Sequence, residues 1–436
     1  MTVCSRTLSF SSVFSKVLSA DFRGGNITSD AGALLLREAD RQLKFTARLA
    51  ACITDPRDPD LIEHTVLDMV RQRVYGIALG YEDLNDFETL RQDKLFQILA
   101  EKDGPLASPP TLCRFENRTS QMSLLRMSEY LVERFVESFN GRPAKLVLDF
   151  DATEDEIHGH QEKNFFHGYY DCYCYLPLYV FCGDKLLLSY LRPSNIDAAL
   201  HAGPILKLLV KRLRTEWPGV QIILRGDSGF ARKRILSWCE RNQVDYIVGL
   251  ARNKRLERLS HPLMNEAKKC FDETKEKQRL FTWINYKADS WKHARQVIAK
   301  AEYDSKGENP RYVLTTLTGD AQELYEREYC ARGEMENRIK EHQSELFGGR
   351  TSCHKFRANQ LRLLLVSAAY VLMEYIRSHA LKGTALEQAQ CHTMRLKLMK
   401  IGARIVTSVR RIVLHLSGGY PYAELLTTAL ARLSSA

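Results

Sequence analysis

Two aspartates two residues apart, Asp149 and Asp151, lie in the stretch KLVLDFDATEDEIHGHQE from Lys145 to Glu162. Leu146, Val147, Leu148 and Phe150 form an apolar, β-prone run, so the pair rides on a strand and both carboxylates share one face. Glu154, Asp155 and Glu156 add charge where that strand ends. Carboxylates at the exit of a buried strand suit a hard divalent cation; an acidic turn gives the same letters. Asp227 ends a later strand in RGDSGF, where Gly226 and Gly229 are expected to let the backbone turn sharply. Glu336 lies on a predicted helix. Arg332, Glu336, Lys340 and Gln343 share one face of it, with Tyr329 just before and near the same side, while Met335, Ile339 and Leu346 form its apolar face. If the strands ending in Asp151 and Asp227 are parallel neighbours, the two carboxylates meet, and the glutamate can look toward them.

Three carboxylates at one point repel. At ~4 Å a single like-charged pair costs roughly 4 kcal/mol at an effective dielectric of 20. Such a cluster is sensible with divalent cations. Two Mg²⁺ ions ~3.5–4 Å apart could activate a water or a 3′-hydroxyl and steady the leaving oxygen of an in-line phosphoryl transfer. Arg332 and a nearby lysine would hold flanking phosphates. Other motifs are weaker: His158-x-His160 lacks further partners for a metal site, and neither a P-loop nor GxSxG is present.

The elements that must position these acids follow from periodicity and punctuation. Residues 1 to about 140 read as helical, with Thr28-Ser29-Asp30 capping a run from Ala31 to Ile53 and further helices near 61–79, 85–102 and 121–139. Arg71, Arg73, Arg114, Arg118 and Arg126 on these helices could serve a helix-turn-helix-like DNA reader; a bundle with solvated arginines explains them as well. From Lys145 the texture is β: the acidic strand, Tyr173–Cys182, Lys185–Leu191, a helix, Val220–Leu224, a helix, and Asp245–Leu250. The first three strands can form an antiparallel meander and the last two need parallel crossovers, the element order of a ribonuclease H-like fold. A charge-rich stretch and three probable strands (280–286, 294–303, 311–317) read as a β-rich insertion. Within it Trp291, in a polar context, can stack on a base or simply pack in a hairpin. A helix near 334–346, a long one near 356–379 and a strand-like segment 403–416 complete the chain.

The 436 residues carry a net charge of +10 and 44% hydrophobic residues. This suits a globular protein with a polyanionic partner, without separating DNA from RNA or a membrane surface. The eleven cysteines have no CxxC pair, consistent with reduced cytosolic thiols. The opening MTVCSRTLSFSSVF lacks the apolar core of a signal peptide, and no apolar run approaches the ~18 residues of a membrane helix.

Taken together, the sequence resembles the DDE transposases of bacterial insertion sequences, and more narrowly the Tyr-Arg-Glu-Lys signature superfamily and its thirteen-eighty insertion-sequence family. LDFDATEDEIHGHQE matches the family's first-acid region, with Asp151 as the metal-binding aspartate and Asp149 as the alternative. Asp227, Gly229 and Phe230 match the second-acid signature, and Tyr329, Arg332 and Glu336 the third. The family's lysine falls on Gln343, a departure; Lys340, one turn earlier, is the candidate to replace it. GGNITSDAGALLL, GYEDLNDF, SPPTLCRFENR and ENRIKEHQSELFGGRTSCHKFRANQ also look like this family.

The resemblance implies an α/β fold: a ribonuclease H-like catalytic core interrupted by a β-rich insertion, with a helical N-terminal region. Residues 1–140 would be the helical DNA-binding region, 141–251 the first part of the core, 252–325 the insertion, 326–383 the second part with the catalytic helix, and 384–436 a C-terminal region. It further implies Mg²⁺ as cofactor (two ions, with Mn²⁺ substituting) at Asp151, Asp227 and Glu336, and phosphate contacts from Tyr329, Arg332 and Lys340. The reaction would be cleavage at terminal inverted repeats followed by strand transfer into target DNA; some superfamily members with such an insertion cut through a DNA hairpin. The partners would be double-stranded DNA and a second copy in a synaptic dimer, in a bacterial cytoplasm at the nucleoid and away from membranes. A plain metal-dependent nuclease on the same core and a catalytically impaired DNA-binding relic are the alternatives.

Overall fold

The computed structural model describes residues 7–434. Residues 1–6, the start of the stretch read as unlike a signal peptide, lie outside the described residues. The chain divides into two compact units, one of 1–123, 345–347 and 368–436, the other of 124–344 and 348–367.

The second unit is built on a nine-stranded mixed sheet. Its elements are β1 (Lys145–Ala152), β2 (Leu178–Cys182), β3 (Lys185–Tyr190), α1 (Ala202–Glu216), β4 (Gln221–Gly226), α2 (Lys233–Arg241), β5 (Asp245–Leu250), α3 (Lys254–Thr274), β6 (Gln278–Tyr286), β7 (Arg295–Asp304), β8 (Arg311–Thr315) and α4 (Arg332–Lys340). The strand order is β6-β7-β8-β5-β4-β1-β2-β3, with the two-residue strand Gly307–Glu308 beside β7. The antiparallel meander and the two parallel crossovers are both present: β1 pairs antiparallel with β2, whereas β4 runs parallel to β1 and to β5. Strands β6, β7 and β8, which the sequence reads as an insertion, extend the same sheet, since β8 pairs antiparallel with β5.

Alternation along the strands sorts the two faces. Leu146, Leu148 and Phe150 of β1, with Ile222 and Leu224 of β4, pack into the large cluster that includes Leu206, Leu209 and Leu213 of α1 and Leu236 of α2. Val147, Ile223 and Ile247 face the other way, against Ala321, Tyr325 and Tyr329. Asp149 and Asp151 follow Val147 at steps of two, and Arg225 and Asp227 follow Ile223. All four therefore belong to the face covered by the segment that runs into α4.

The structure departs from the sequence reading in several places. Residues 173–182 are two strands, Cys172–Tyr175 and Leu178–Cys182, because Pro177 has no amide for the ladder. The turn at Gly183-Asp184 is a two-residue hairpin with Gly183 at φ +58°, as the small residue there allows. The charge-rich stretch after β5 is a 21-residue helix, α3. Leu256, Ser260, Met264 and Ala267 bury one stripe of it, and Asn253 caps it by accepting from the amides of Arg255 and Leu256.

In the first unit, residues 8–20 form an exposed hairpin, Leu8–Val13 with Lys16–Ala20, rather than helix. The run from Ala31 breaks at Lys44, whose φ is +49°, into Leu34–Leu43 and Phe45–Ala51. The helix Val66–Leu79 carries a capping box from Thr65 and Asp68 and stops at Gly80, φ +94°. Arg73 is no surface reader: it is 1% exposed and bound to Glu116 and the Glu82 carbonyl. The segment 403–416 is also a hairpin, Ala403–Thr407 with Ile412–Leu416, turned by Ser408 and Arg411. Among the described residues no helix is long and apolar enough to cross a membrane.

Candidate active site

The site grows from the register of β1 and β4. Asp149 stands opposite Arg225, and Phe150 opposite Gly226. One step further, Asp151 and Asp227 leave the ends of neighbouring parallel strands on the same face. Gly226 and Gly229 are not in the left-handed region, so the expected sharp turn is not what they supply. Gly226 supplies room: a Cβ there would lie 3.0 Å from the Phe230 ring and 3.3 Å from the Phe150 carbonyl. Asp227 folds back on its own turn, its Oδ1 accepting from the Gly229 amide at 2.8 Å.

Sequence reasoning missed Gly249, on β5. A Cβ at this position would stand 2.7 Å from the Tyr329 hydroxyl and 2.9 Å from the Ser228 amide. The glycine lets Tyr329 close over the Asp227 turn. The Tyr329 phenol is held above its usual range by burial and by Asp227, against the pull of Arg332.

Asp149 has a separate task. Its carboxylate takes two bonds from Arg225, Nε to Oδ1 and Nη2 to Oδ2 at 2.7 Å, and Arg225 Nη1 donates to the Glu328 carbonyl at 2.6 Å. The side chains of Asp149 and Arg225 are 1% and 8% exposed. This buried fork ties β1 and β4 to the chain entering α4, and both Asp149 oxygens accept from Arg225, which argues against Asp149 as the alternative metal ligand. Asp149→Ala is expected to cost roughly 3–5 kcal/mol in denaturant unfolding, because it strands a buried guanidinium. Mn²⁺ affinity of the folded variant should stay within about threefold. Lost metal binding at unchanged stability would return Asp149 to the ligand set.

On α4, Met335 and Ile339 are buried as the apolar face requires. Arg332 turns inward, with Nη1 3.0 Å from Asp151 Oδ1 and Nη2 2.5 Å from Glu336 Oε1. Asp151, Asp227 and Glu336 are therefore brought to one place, two by strand ends and one by the helix. The Asp151 carboxyl is pushed up to about 6, first by burial and then by Asp227 and Glu336, with Arg332 opposing.

A family model described as Transposase DDE domain group 1 matches residues 10–436. The chain belongs to that family. No curated protein matches it. Among solved structures, the cryo-EM structure of a piggyBac transposase synaptic complex with hairpin DNA is similar at 12% identity and a TM-score of 0.41, over 87% of this chain and 82% of that one.

Divalent metal is the general cofactor of DDE transposases, and the residues of this member fit one. The donors are all carboxylate oxygens, which suit a hard cation. A guanidinium already bridges two of them, and burial together with the neighbouring acids holds the Asp151 carboxyl above its usual range, so the cluster calls for positive charge.

Two further expectations about this transposase-family chain change. Gln343, at the signature's lysine position, is turned inward: its amide donates to Asp155 Oδ1 at 2.5 Å and to the Glu154 carbonyl at 3.0 Å. The Asp155 carboxyl is pushed up to about 7 by burial, with Gln343 pulling it back. Next to it, His342 is buried and kept neutral, its ring between the Tyr179 hydroxyl at 3.3 Å and Ser367 at 2.9 Å. Position 343 is thus part of the seat of the helix. Trp291, which the sequence left open between stacking on a base and packing in a hairpin, is 6% exposed. Tyr286 packs edge-on against it at 5.5 Å and Arg295 lies over its ring at 4.6 Å, so no base can reach it.

Proposed function

We propose that the chain is an insertion-sequence transposase that cuts DNA at the terminal inverted repeats of its element and joins the 3′-hydroxyl ends to target DNA. The observation that carries this reading is the junction of Asp151, Asp227 and Glu336 at the ends of two parallel strands, with Arg332 joined to two of them. These three acids would hold two Mg²⁺ ions, which supply Lewis acidity toward the attacking and leaving oxygens of a phosphodiester. The core would be ribonuclease H-like, extended by the insertion strands.

The chain's own residues have distinct work in this reading. Asp149, Arg225 and Gly249 fix the two aspartates. Tyr329, its hydroxyl beside Gly249, braces the Asp227 turn rather than reaching a phosphate. Arg332 and Lys340 are the phosphate contacts. Lys340 is exposed, and among the described residues it has no hydrogen-bond or ion-pair partner, since Glu336 is taken by Arg332. Lys340 is thus available to DNA, one turn from Glu336.

A strand-transfer assay with the repeats flanking the gene tests the function as a whole: Mg²⁺-dependent joining is expected, and cleavage without joining would favour a nuclease. For Lys340→Ala the expected loss is at least about tenfold in cleavage or joining, equivalent to ~1.4 kcal/mol of transition-state stabilisation. A rate within about twofold of wild type would leave phosphate holding to Arg332 alone.

A further inference from the structure

After Lys340 the helix that carries Glu336 opens into the wider turns of Glu341–Glu345, a form that concentrates at functional positions. Two polar side chains point inward from these turns, His342 to Tyr179 and Ser367, and Gln343 to the chain just past β1. The Gln343 amide has two hydrogens, and both are used, one on Asp155 Oδ1 and one on the Glu154 carbonyl.

Both contacts lead back to the strand of Asp151. Tyr179 stands opposite Asp151 in the β1–β2 pair, and its hydroxyl lies 3.3 Å from the His342 ring. Asp155 comes four residues after Asp151. It is 2% exposed. Its short strand, Asp155–Glu156, pairs with Cys172–Tyr175, and the next amide, of Ile157, donates to the Tyr173 carbonyl at 2.8 Å. Two glycines let the chain fold back beneath the helix end. A Cβ on Gly348 would lie 2.5 Å from His342 Nδ1, and one on Gly349 would lie 3.6 Å from Asp155 Oδ1.

A carboxylate is a costly choice for this position. Asp155 Oδ2 is buried and has no hydrogen-bond partner. Apolar side chains would seat a helix end without that loss. What the carboxylate adds is direction, because it holds the Gln343 amide at one angle and with it the rotation of the helix. Glu336 lies seven residues before Gln343, about two turns, on the same face. The Glu336 side chain is exposed and bound to Arg332. Once a cation displaces Arg332, the helix backbone sets where this carboxylate stands. The entry to the helix is held at several points, with Arg225 on the Glu328 carbonyl, Lys145 on the Glu328 carboxylate at 2.8 Å, and Tyr329 beneath Gly249. Its exit depends on His342 and Gln343.

We infer that Asp155 is a positioning residue of the metal site: through Gln343 it fixes the rotation of the catalytic helix, and so the point at which Glu336 meets a divalent cation. The inference rests on the transposase reading, in which Glu336 is a metal ligand. It also gives the departure at position 343 a function. The residue there holds Glu336 in place, and the phosphate is left to Arg332 and Lys340.

The test is Mn²⁺ titration calorimetry of the full-length protein without DNA at pH 8, where Asp155, raised to about 7, is ionised. Gln343→Met keeps the length of the side chain and removes its donors. This variant and Asp155→Ala are each expected to bind Mn²⁺ about tenfold more weakly, as happens when an outer contact of a metal ligand is lost. The double variant should be within about twofold of the weaker single one, because the pair acts as a unit. Asp155→Asn, whose amide oxygen still accepts from Gln343, should stay within about threefold of wild type. If Asp155→Ala does not fold, half-buried Gln343→Met carries the comparison. The deciding background is Glu336→Gln, which itself weakens binding; adding Gln343→Met there should change the affinity by less than about twofold. Equal losses in both backgrounds, or full Mn²⁺ affinity in Gln343→Met with only a lowered unfolding midpoint, would overturn the inference and leave the transposase reading intact. Wild-type Mn²⁺ affinity in Glu336→Gln would remove Glu336 from the metal site, and this inference with it.

Discussion

Asp227→Asn is expected to abolish DNA cleavage, by at least about a thousandfold, while binding to the terminal repeats stays within about threefold. The fold should survive, because an asparagine Oδ1 can accept the Gly229 amide as Asp227 does at 2.8 Å. What is lost is one charge at the meeting point of β1 and β4. A thousandfold is about 4 kcal/mol of transition-state stabilisation, a reasonable share for one of three metal-holding carboxylates. Side-by-side gel-shift and cleavage assays separate the two effects. If the variant cut normally, Asp227 would be a turn residue and the site would have to be sought elsewhere.

Arg332→Ala should move two quantities in opposite directions. In the protein without DNA, the guanidinium sits on Asp151 and Glu336, where it competes with any divalent cation. Its removal is expected to raise Mn²⁺ affinity, measured calorimetrically at pH 8, by about three- to tenfold, the worth of one partly exposed ion pair of ~1 kcal/mol. Cleavage should nonetheless fall at least about a hundredfold, because the same guanidinium is needed on the DNA phosphate once metal has displaced it. The pH matters. The Asp151 carboxyl, raised to about 6, is ionised at pH 8 and carries a competing proton below 6, so metal affinity should decline as pH falls through that value. A drop in metal affinity in Arg332→Ala at pH 8 would mean that Arg332 organises the acids and does not compete for them.

Alternation made much of the sheet legible. The apolar residues of β1, β4 and β5 alternate or run continuously as buried strands do, and the conditional meeting of Asp151 and Asp227 needed only that β1 and β4 be parallel neighbours, which they are. The choice between Asp149 and Asp151 was not legible, because both share a face. It turns on Arg225, which stands 76 residues from Asp149 in sequence and opposite it in the sheet. Gln343 shows the same limit: its helix spacing placed it on the Glu336 face, yet its partner, Asp155, lies 188 residues away. The polar sequence neighbours of Trp291 did not decide between stacking on a base and packing in a hairpin; Tyr286 and Arg295 close over it through the β6–β7 hairpin. Helix α3 was hidden by its own charges: four buried positions are too few to stand out against a solvated face of lysines and glutamates.

The most direct measurement is the anomalous scattering of Mn²⁺ in crystals of the protein bound to its own terminal DNA. Two manganese peaks in direct contact with the carboxylates of Asp151, Asp227 and Glu336, with Arg332 withdrawn from Asp151 onto a phosphate, are the expected result. Manganese bound away from these three acids, with Arg332 still joined to Asp151 and Glu336, would contradict the account.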